Sequence, residues 1–320
     1  MLHFLSAAIL LSAPPKAELV EVHKIWDQAP HNAFTDLVRF NDIWFCVFRE
    51  GKAHVSPDGA IRVNTSADGK KWESSALLTS KTMDLRDPKI VISPRKELMI
   101  VAAGALHDKA KQSHQSLVWF SKDGKDWGEP VAIGDPDYWM WRVAWHYEIA
   151  LGIAYPTSKA EKGIRVYQST DGRKWDTVVA NAFDKAGPSE TGIVIDPDST
   201  ATVLLRRDDA PATAQLGISK PPYKEWTWRD LGVRVGGPAL VRVPDMGLIA
   251  VVRLYDKKVR TAVCAVDEKA GSLTELLSLP SGGDTSYAGP IWHDGLLWVS
   301  YYASHEGKTS VYLAKVKLTK

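Results

Sequence analysis

The feature that most constrains this chain of 320 residues is a short segment that recurs along it. Three copies run from a serine through Asp-Gly to a tryptophan: Ser66–Trp72, Ser121–Trp127 and Ser169–Trp175. A degraded fourth copy, Ser219–Trp226, keeps the serine and the tryptophan but has Pro-Pro in place of Asp-Gly. The first residues of these copies lie 55, 48 and 50 residues apart. A period of this size is typical of propellers and solenoids, in which each repeat is one supersecondary unit.

The residue types of the repeat predict a hairpin turn. The Asp side chain can accept hydrogen bonds from the turn's own backbone, and Gly can take the positive φ that the reversal needs. The Trp then starts the next strand and can pack over the turn. β-rich or alternating runs flank the turns, while no segment keeps a helical period over ten residues. We therefore expect antiparallel hairpins.

Chain length sets the number of repeats. About 300 residues divided by a repeat of about 50 gives six blades of four strands each. The C-terminal part has room for three strands, ending in Ser310–Val316, and the run Glu18–Ile25 can supply the fourth. We predict an all-β, six-bladed β-propeller of four-stranded antiparallel blades, closed by the N-terminal strand, because closure removes an exposed sheet edge.

The first 17 residues have the pattern of an export signal. A short apolar stretch ends in small residues, which favours cleavage near Ala13 or Ala17, although no Lys or Arg precedes it. The alternative is a buried N-terminal strand. We expect a secreted or periplasmic protein with one propeller domain over residues 18–320. No later stretch approaches the ~20 apolar residues of a membrane helix.

Composition narrows the partners. The formal net charge is +2, from 40 basic and 38 acidic residues, which gives no reason to expect nucleic acid or a membrane as partner. The two cysteines, Cys46 and Cys264, sit in apolar strand-like runs and are predicted to be buried free thiols. We expect no disulfide, no metal site and no cofactor, and a monomer whose partner is a glycan.

The repeat resembles the Asp box of sialidases, Ser-x-Asp-x-Gly-x-x-Trp, although the present copies are one residue shorter between Asp and Trp. Further stretches resemble sialidase active-site segments from about residue 20 to the C-terminus. They contain, in chain order, an Asp-Pro pair, a glutamate, an arginine and a tyrosine: Leu85–Lys89, Gly187–Ile193, Val251–Asp256 and Thr285–Gly295. The resemblance implies a glycosidase on a six-bladed propeller.

The resemblance also implies roles for single residues. Tyr287 matches the nucleophilic tyrosine, and Glu190 matches the glutamate that acts as its base. Arg206 or Arg207, sixteen and seventeen residues after Glu190, together with Arg253, would match arginines that bind the sugar carboxylate. The stretch that aligns with the first sialidase arginine, 31–37, has none, and Arg49 one strand later is the remaining candidate.

Propeller geometry leads to the same residues without the family. Inner and second strands of a blade run antiparallel, so the start of the first and the end of the second lie at one end of the channel. That end receives acids, arginines and aromatic residues: Asn32, Asp36, Arg49, Glu50, His54, Arg86, Asp87, His107, Trp141, Arg142, Tyr155, Glu190, Arg206, Arg207, Arg253, Tyr255, Tyr287 and His305. Charges crowded at a channel mouth are typical of an active site.

The predicted catalytic residues are Tyr287, Glu190 and Asp87. The predicted substrate-binding residues are Arg49, Glu50, His54, Arg86, Arg142, Arg206, Arg207 and Arg253. Because a phenol ionises near pH 10, Tyr287 needs Glu190 as a base at neutral pH. The general acid stays open between Asp87, Glu50 and His54. Arg142 either reads the substrate or stacks on neighbouring tryptophans.

Three functions fit this site. The first is a retaining exo-glycosidase that releases a terminal acidic sugar, since sialidases use Tyr in place of a carboxylate nucleophile. The second is a polysaccharide lyase in which Tyr and His remove the proton beside a uronate carboxylate. His54, His107 and His305 are the histidines that keep this alternative open. The third is a glycan-binding propeller without chemistry.

Overall fold

The computed structural model describes residues 14–158, 163–185 and 187–320, and it is all β. The described residues form six four-stranded antiparallel sheets, which we number as blades 1 to 6. Blade 1 comprises β2 (His31–Phe40), β3 (Ile43–Gly51), β4 (Ala60–Ser66) and β5 (Glu73–Leu78). Blade 2 comprises β6 (Met83–Ile92), β7 (Leu98–Leu106), β8 (His114–Ser121) and β9 (Val131–Ile133). Blade 3 comprises β10 (Tyr138–His146), β11 (Ile149–Pro156), β12 (Arg165–Ser169) and β13 (Asp176–Val179).

Blades 4 to 6 continue the same order around the ring. Blade 4 comprises β14 (Pro188–Ile195), β15 (Ala201–Arg207), β16 (Gln215–Ser219) and β17 (Thr227–Asp230). Blade 5 comprises β18 (Val235–Val243), β19 (Gly247–Leu254), β20 (Arg260–Asp267) and β21 (Ser272–Ser278). Blade 6 comprises β22 (Thr285–His293), β23 (Leu296–Ala303) and β24 (Ser310–Thr319), with β1 (Lys16–Trp26) as its outer strand. The first strand of each blade contacts the first strands of both neighbouring blades, so these six inner strands line a closed channel. The predicted six-bladed propeller is confirmed.

The ring closes as the sequence predicts. Strand β1 pairs antiparallel with β24, from Lys16 opposite Thr319 to Trp26 opposite Val311. The predicted export signal falls mostly on residues 1–13, which lie outside the described residues, and it stays a prediction. Among the described residues, no helix is long and apolar enough to cross a membrane. Both cysteines are buried and free, in β3 and β20.

The repeated Ser–Trp segments are the turns between the third and fourth strands of blades 1 to 4. In the blade 2 copy, Asp123 Oδ1 accepts hydrogen bonds from the backbone N–H of Lys125 and Asp126, at 2.8 and 3.1 Å. The Trp127 indole N–H donates to the carbonyl of Gly124 at 3.1 Å. The turn is thus held by its own residues, which explains why it recurs as a unit.

Gly124 gives a test of how these turns lock neighbouring blades together. Its φ is +74°, and a Cβ there would lie 2.1 Å from Phe45 Cε1 of blade 1. We expect Gly124→Ala to lower the free energy of unfolding by about 2–5 kcal/mol, from backbone strain plus overpacking. Gly128→Ala is the matched control, because its φ is +61° with nothing within 4 Å of the Cβ, so only the strain of about 1–2 kcal/mol remains. Equal urea midpoints for the two variants would contradict the packing argument.

Each inner strand carries a β-bulge near its start. In five blades, two residues of the inner strand oppose one residue of the second strand: Phe34–Thr35, Asp87–Pro88, Ser189–Glu190, Gly237–Pro238 and Tyr287–Ala288. In blade 3 the extra residue is Trp141. Four of the first bulge residues have positive φ: Phe34, Asp87, Gly237 and Tyr287. A bulge redirects a side chain out of the strand's alternation, and here the bulges hold predicted site residues.

Candidate active site

Tyr287 and Glu190 meet across the channel although 97 residues separate them in sequence. The Tyr287 hydroxyl donates a hydrogen bond to Glu190 Oε1 at 2.6 Å, and each residue is only 7% exposed. This distance is within the range expected for a nucleophile and its base. The structure thus brings together the two side chains for which the sequence resemblance implies catalytic roles.

Two further groups hold Glu190 in place. Arg206 Nη1 donates to Glu190 Oε1 at 2.6 Å and to the Tyr287 hydroxyl oxygen at 3.0 Å. The backbone N–H of Gly237 donates to Glu190 Oε2 at 2.8 Å. These two donors fix the orientation of the Glu190 carboxyl group, with Oε1 accepting from the phenol as well. Arg206 is placed to stabilise negative charge as it moves from Glu190 to the tyrosine oxygen.

Tyr287 is a neutral phenol over the whole neutral pH range. Burial raises its pKa well above the ordinary value, and the charge on Glu190 raises it further, while Arg206 and Arg253 act in the opposite direction. The Arg253 guanidinium lies 5.1 Å from the centre of the Tyr287 ring. Deprotonation of Tyr287 therefore needs a base in direct contact with its hydroxyl, and Glu190 occupies that position.

Asp87 lies on the blade 2 inner strand and shares this environment. It is 4% exposed and has a φ of +49°. Burial raises the pKa of its carboxyl group, Arg86 and Lys89 oppose the increase, and the charge on Glu190 adds to it. Its nearest ion-pair contact is loose, with Arg86 Nε 3.7 Å from Oδ2. Asp87 can therefore carry a proton at a pH where an ordinary carboxyl group has lost it.

A second polar network lies beside the tyrosine. Asp284 Oδ2 lies 2.7 Å from His54 Nδ1 and 3.2 Å from His31 Nε2, while Tyr302 and Arg253 donate to Oδ1 at 2.7 and 3.1 Å. Although burial opposes it, these hydrogen bonds lower the pKa of Asp284 far below the usual range. Sequence reasoning found only His54 and Arg253 of this group, because an aspartate after Gly-Gly is typical of an ordinary turn.

The two histidines and Asp284 also form the one group of described residues with the donor types and spacing for a metal ion, with ligating atoms within 4.8 Å. Two features favour hydrogen bonding instead. The carboxylate is already satisfied by four neighbours, and His31 Nδ1 is buried without the acceptor that a metal-bound imidazole ordinarily uses. The cluster therefore serves to position His54 and Arg253.

Of the other predicted binding residues, Arg86 and His54 are at the site. Arg86 Nη2 donates to the carbonyl of His54 at 3.2 Å. The His54 ring packs edge-on against Phe34 with centroids 5.0 Å apart, and Phe34 packs in the same way on Tyr287 at 5.2 Å. Phe34 was not among the predicted residues, and its bulge position explains why a buried aromatic reaches the channel mouth.

Four predicted binding residues have their polar groups engaged elsewhere. Arg49 is 0% exposed and bonds Asp84, Ser56 and the Ala53 carbonyl. Glu50 accepts hydrogen bonds from Trp26 and Arg62, and the Arg207 guanidinium lies over the ring of Phe183. Arg142 donates to Asp36 at 2.8 Å. Arg142 thus has an ion pair that neither sequence alternative included. We leave these four out of the proposed site.

Two of the histidines that kept a lyase open lie away from the tyrosine. His107 Nε2 lies 2.8 Å from the carbonyl oxygen of Pro57, and His305 packs against Tyr312 with ring centroids 5.1 Å apart. Neither has a recorded contact with Tyr287 or Glu190 among the described residues. His54, by contrast, packs on Phe34, which itself packs on Tyr287.

Comparisons with known proteins give the fold. No family model and no curated protein sequence matches the chain. A Dyadobacter fermentans protein of unknown function has a similar structure, with 17% identity, a TM-score of 0.83 and coverage of 95% of this chain and 100% of that one. The GH93 α-L-arabinofuranosidase of Fusarium graminearum is 14% identical with a TM-score of 0.72, and the match covers 93% of this chain and 97% of that one. Trypanosoma rangeli sialidase is 12% identical with a TM-score of 0.66, and the match covers 90% of this chain and 55% of that one.

The six-bladed propeller architecture of this chain is thus similar to that of solved structures which include two glycoside hydrolases. At such low identity the similarity establishes the architecture alone. The assignment of chemistry therefore depends on the channel residues themselves.

Proposed function

We propose that the protein is a glycoside hydrolase that releases a terminal acidic sugar through a Tyr287 nucleophile. The observation that carries this proposal is the shared contact of Tyr287, Glu190 and Arg206, in which one carboxylate oxygen accepts from both the phenol and the guanidinium. A tyrosine in this setting is an unusual nucleophile that sialidases use. The glycosidases with similar folds support the proposal without fixing the substrate.

The proposed reaction has two steps. In the first, Glu190 takes the proton of Tyr287, the phenolate oxygen bonds to the anomeric carbon, and the glycosidic C–O bond breaks. Asp87 gives its proton to the departing oxygen, so the products are a glycosyl-tyrosine and an alcohol. In the second step, Asp87 takes a proton from water, the water oxygen replaces the tyrosine oxygen, and Glu190 returns its proton to Tyr287.

The charges of the site fit an anionic sugar. A neutral phenol approaching a carbon that carries a carboxylate avoids the repulsion that an ionised carboxylate nucleophile would meet. Arg206 donates to the Tyr287 hydroxyl oxygen and Arg253 lies over the Tyr287 ring, so two guanidinium groups are placed beside the reacting oxygen. A substrate without an anionic group would make less use of this arrangement.

The direct test is turnover of a panel of acidic glycans, such as sialyl-lactose, oligouronates and aryl glycosides of the same sugars. We expect release of a free monosaccharide, identified by mass spectrometry, in the wild type. Products with a new ultraviolet-absorbing double bond would contradict hydrolysis and indicate a lyase. Binding without any product across the panel would contradict an enzymatic function altogether.

A further inference from the structure

Four side chains of blades 2 and 3 form a continuous group beside the proposed nucleophile, which we name the donor pocket: Arg86, Lys89, Trp139 and Trp141. The Arg86 guanidinium lies 5.9 Å from the Trp139 ring, and the two tryptophan rings are 5.8 Å apart. Lys89 Nζ lies 5.0 Å from the Trp141 ring. Trp141 in turn packs edge-on against Tyr287 at 5.7 Å. Trp141 therefore links the donor pocket to the reacting tyrosine by direct ring contact.

Every member of the donor pocket carries a buried N–H group without a hydrogen-bond acceptor among the described residues. These atoms are Arg86 Nε, Lys89 Nζ, Trp139 Nε1 and Trp141 Nε1. Nine of the thirteen such side-chain atoms belong to inner strands, so unmet hydrogen bonding is concentrated along the channel. Lys, Arg and Trp side chains donate and do not accept. The group that completes this pocket must therefore be an acceptor.

Lys89 is the most informative member because an unpaired buried ammonium is costly. The residue is 2% exposed, and burial lowers its pKa to about 8, with Arg142 lowering it further and Asp36, Asp87 and Glu190 opposing. Two of these acids are engaged with other partners, Asp36 with Arg142 and Glu190 with Arg206. The third acid, Asp87, makes no hydrogen bond to Lys89, because Lys89 Nζ has no acceptor among the described residues. The ammonium can therefore still donate to a group from outside.

The arginines that the sialidase resemblance assigns to the anion are less available. Arg206 is bonded to Glu190 and Asp208, and Arg253 is bonded to Asp284, Tyr302 and the carbonyl of Thr285. An anionic group that approached them would compete with carboxylates already in place. The unpaired donors of the donor pocket lie on other blades, 2 and 3.

We infer that the donor pocket binds the oxyanion group of the substrate, a carboxylate or a sulfate, with Lys89 as its principal charge partner. The inference rests on the proposed function only in treating that group as part of the same sugar. It assigns anion recognition to blades 2 and 3, and it makes Lys89 a specificity residue rather than a structural one.

The test compares binding of D-glucuronate, N-acetylneuraminate, inorganic sulfate and neutral D-glucose to wild type, Lys89→Met and Lys315→Met, by calorimetry. We expect the wild type to bind at least one anion at least tenfold more tightly than glucose, and Lys89→Met to lose that preference. Met keeps the length of the buried chain, so the fold persists. Lys315, which also lies over a tryptophan ring but pairs with Glu21, is the control that should change nothing.

The outcomes are distinguishable from those of the proposed function. Anion preference that survives Lys89→Met, or a wild type that binds glucose as tightly as every anion, would overturn the donor pocket. Preference for sulfate over both sugar acids would identify a sulfated glycan. Lys89-dependent binding without sugar release would leave the donor pocket intact and refute the hydrolase.

Discussion

Tyr287→Phe is expected to lower kcat/KM by at least about a thousandfold while the protein stays folded. The substitution removes the oxygen that forms the covalent bond and leaves Glu190 bonded to Arg206 and Gly237. The measurement is steady-state hydrolysis of the best substrate in the glycan panel. In free-energy terms, the expected loss is about 4 kcal/mol of transition-state stabilisation.

Glu190→Gln should cause a loss of similar size, and the double variant should be no worse than either single one, because residues that act as a unit are not additive. Tyr301→Phe is the matched control. It lies in the same blade, is 0% exposed and loses the hydrogen bond that its hydroxyl donates to the Pro280 carbonyl at 2.9 Å. Turnover that survives in Tyr287→Phe, or falls equally in Tyr301→Phe, would refute the nucleophile.

Asp87→Asn is expected to reduce hydrolysis of natural glycosides by about a hundred- to ten-thousandfold, because the departing oxygen loses its proton donor. Asn tolerates the positive φ of this position, so the backbone is preserved. A glycoside with a nitrophenol leaving group serves as the internal control. Its departure needs little protonation, so its bond cleavage should slow far less.

The pH profile gives an independent check on the same residue. A general acid must be protonated, and burial raises the pKa of Asp87, so activity should persist to a higher pH than an ordinary carboxyl group allows and fall as pH rises through that pKa. Asp87→Asn should remove this alkaline limb. If His54→Gln instead shows the leaving-group dependence, then His54 is the acid and the assignment to Asp87 is wrong.

The fold could be predicted from sequence because its signals are local. The Asp123 turn is held by atoms within a few residues, so its pattern survives intact in three copies and these give the period directly. Closure by β1 followed from counting strands. These features need no knowledge of which blades meet.

The site was predicted only in part, because side-chain direction depends on pairing between strands. Arg206 and Arg207 are adjacent and point to opposite faces of β15, and the sequence does not say which one reaches Glu190. Arg49 ends its strand as Arg206 does, yet its partner is Asp84 of the next blade. Lys89 lies within a recognised segment but is not singled out by the sequence, because its contact with Trp141 joins two blades whose meeting the sequence does not show.

The bulges near the starts of the inner strands separate the chemistry of this molecule from its architecture. A bulge residue takes no part in the ladder at that point, so it can change identity while the register on either side persists. The six bulges are equivalent positions in the six blades, and the residues at them here include a tyrosine, an aspartate and, in blade 5, Gly237. New substrate specificity could therefore arise by substituting the residue at one bulge position while the other five positions stay unchanged.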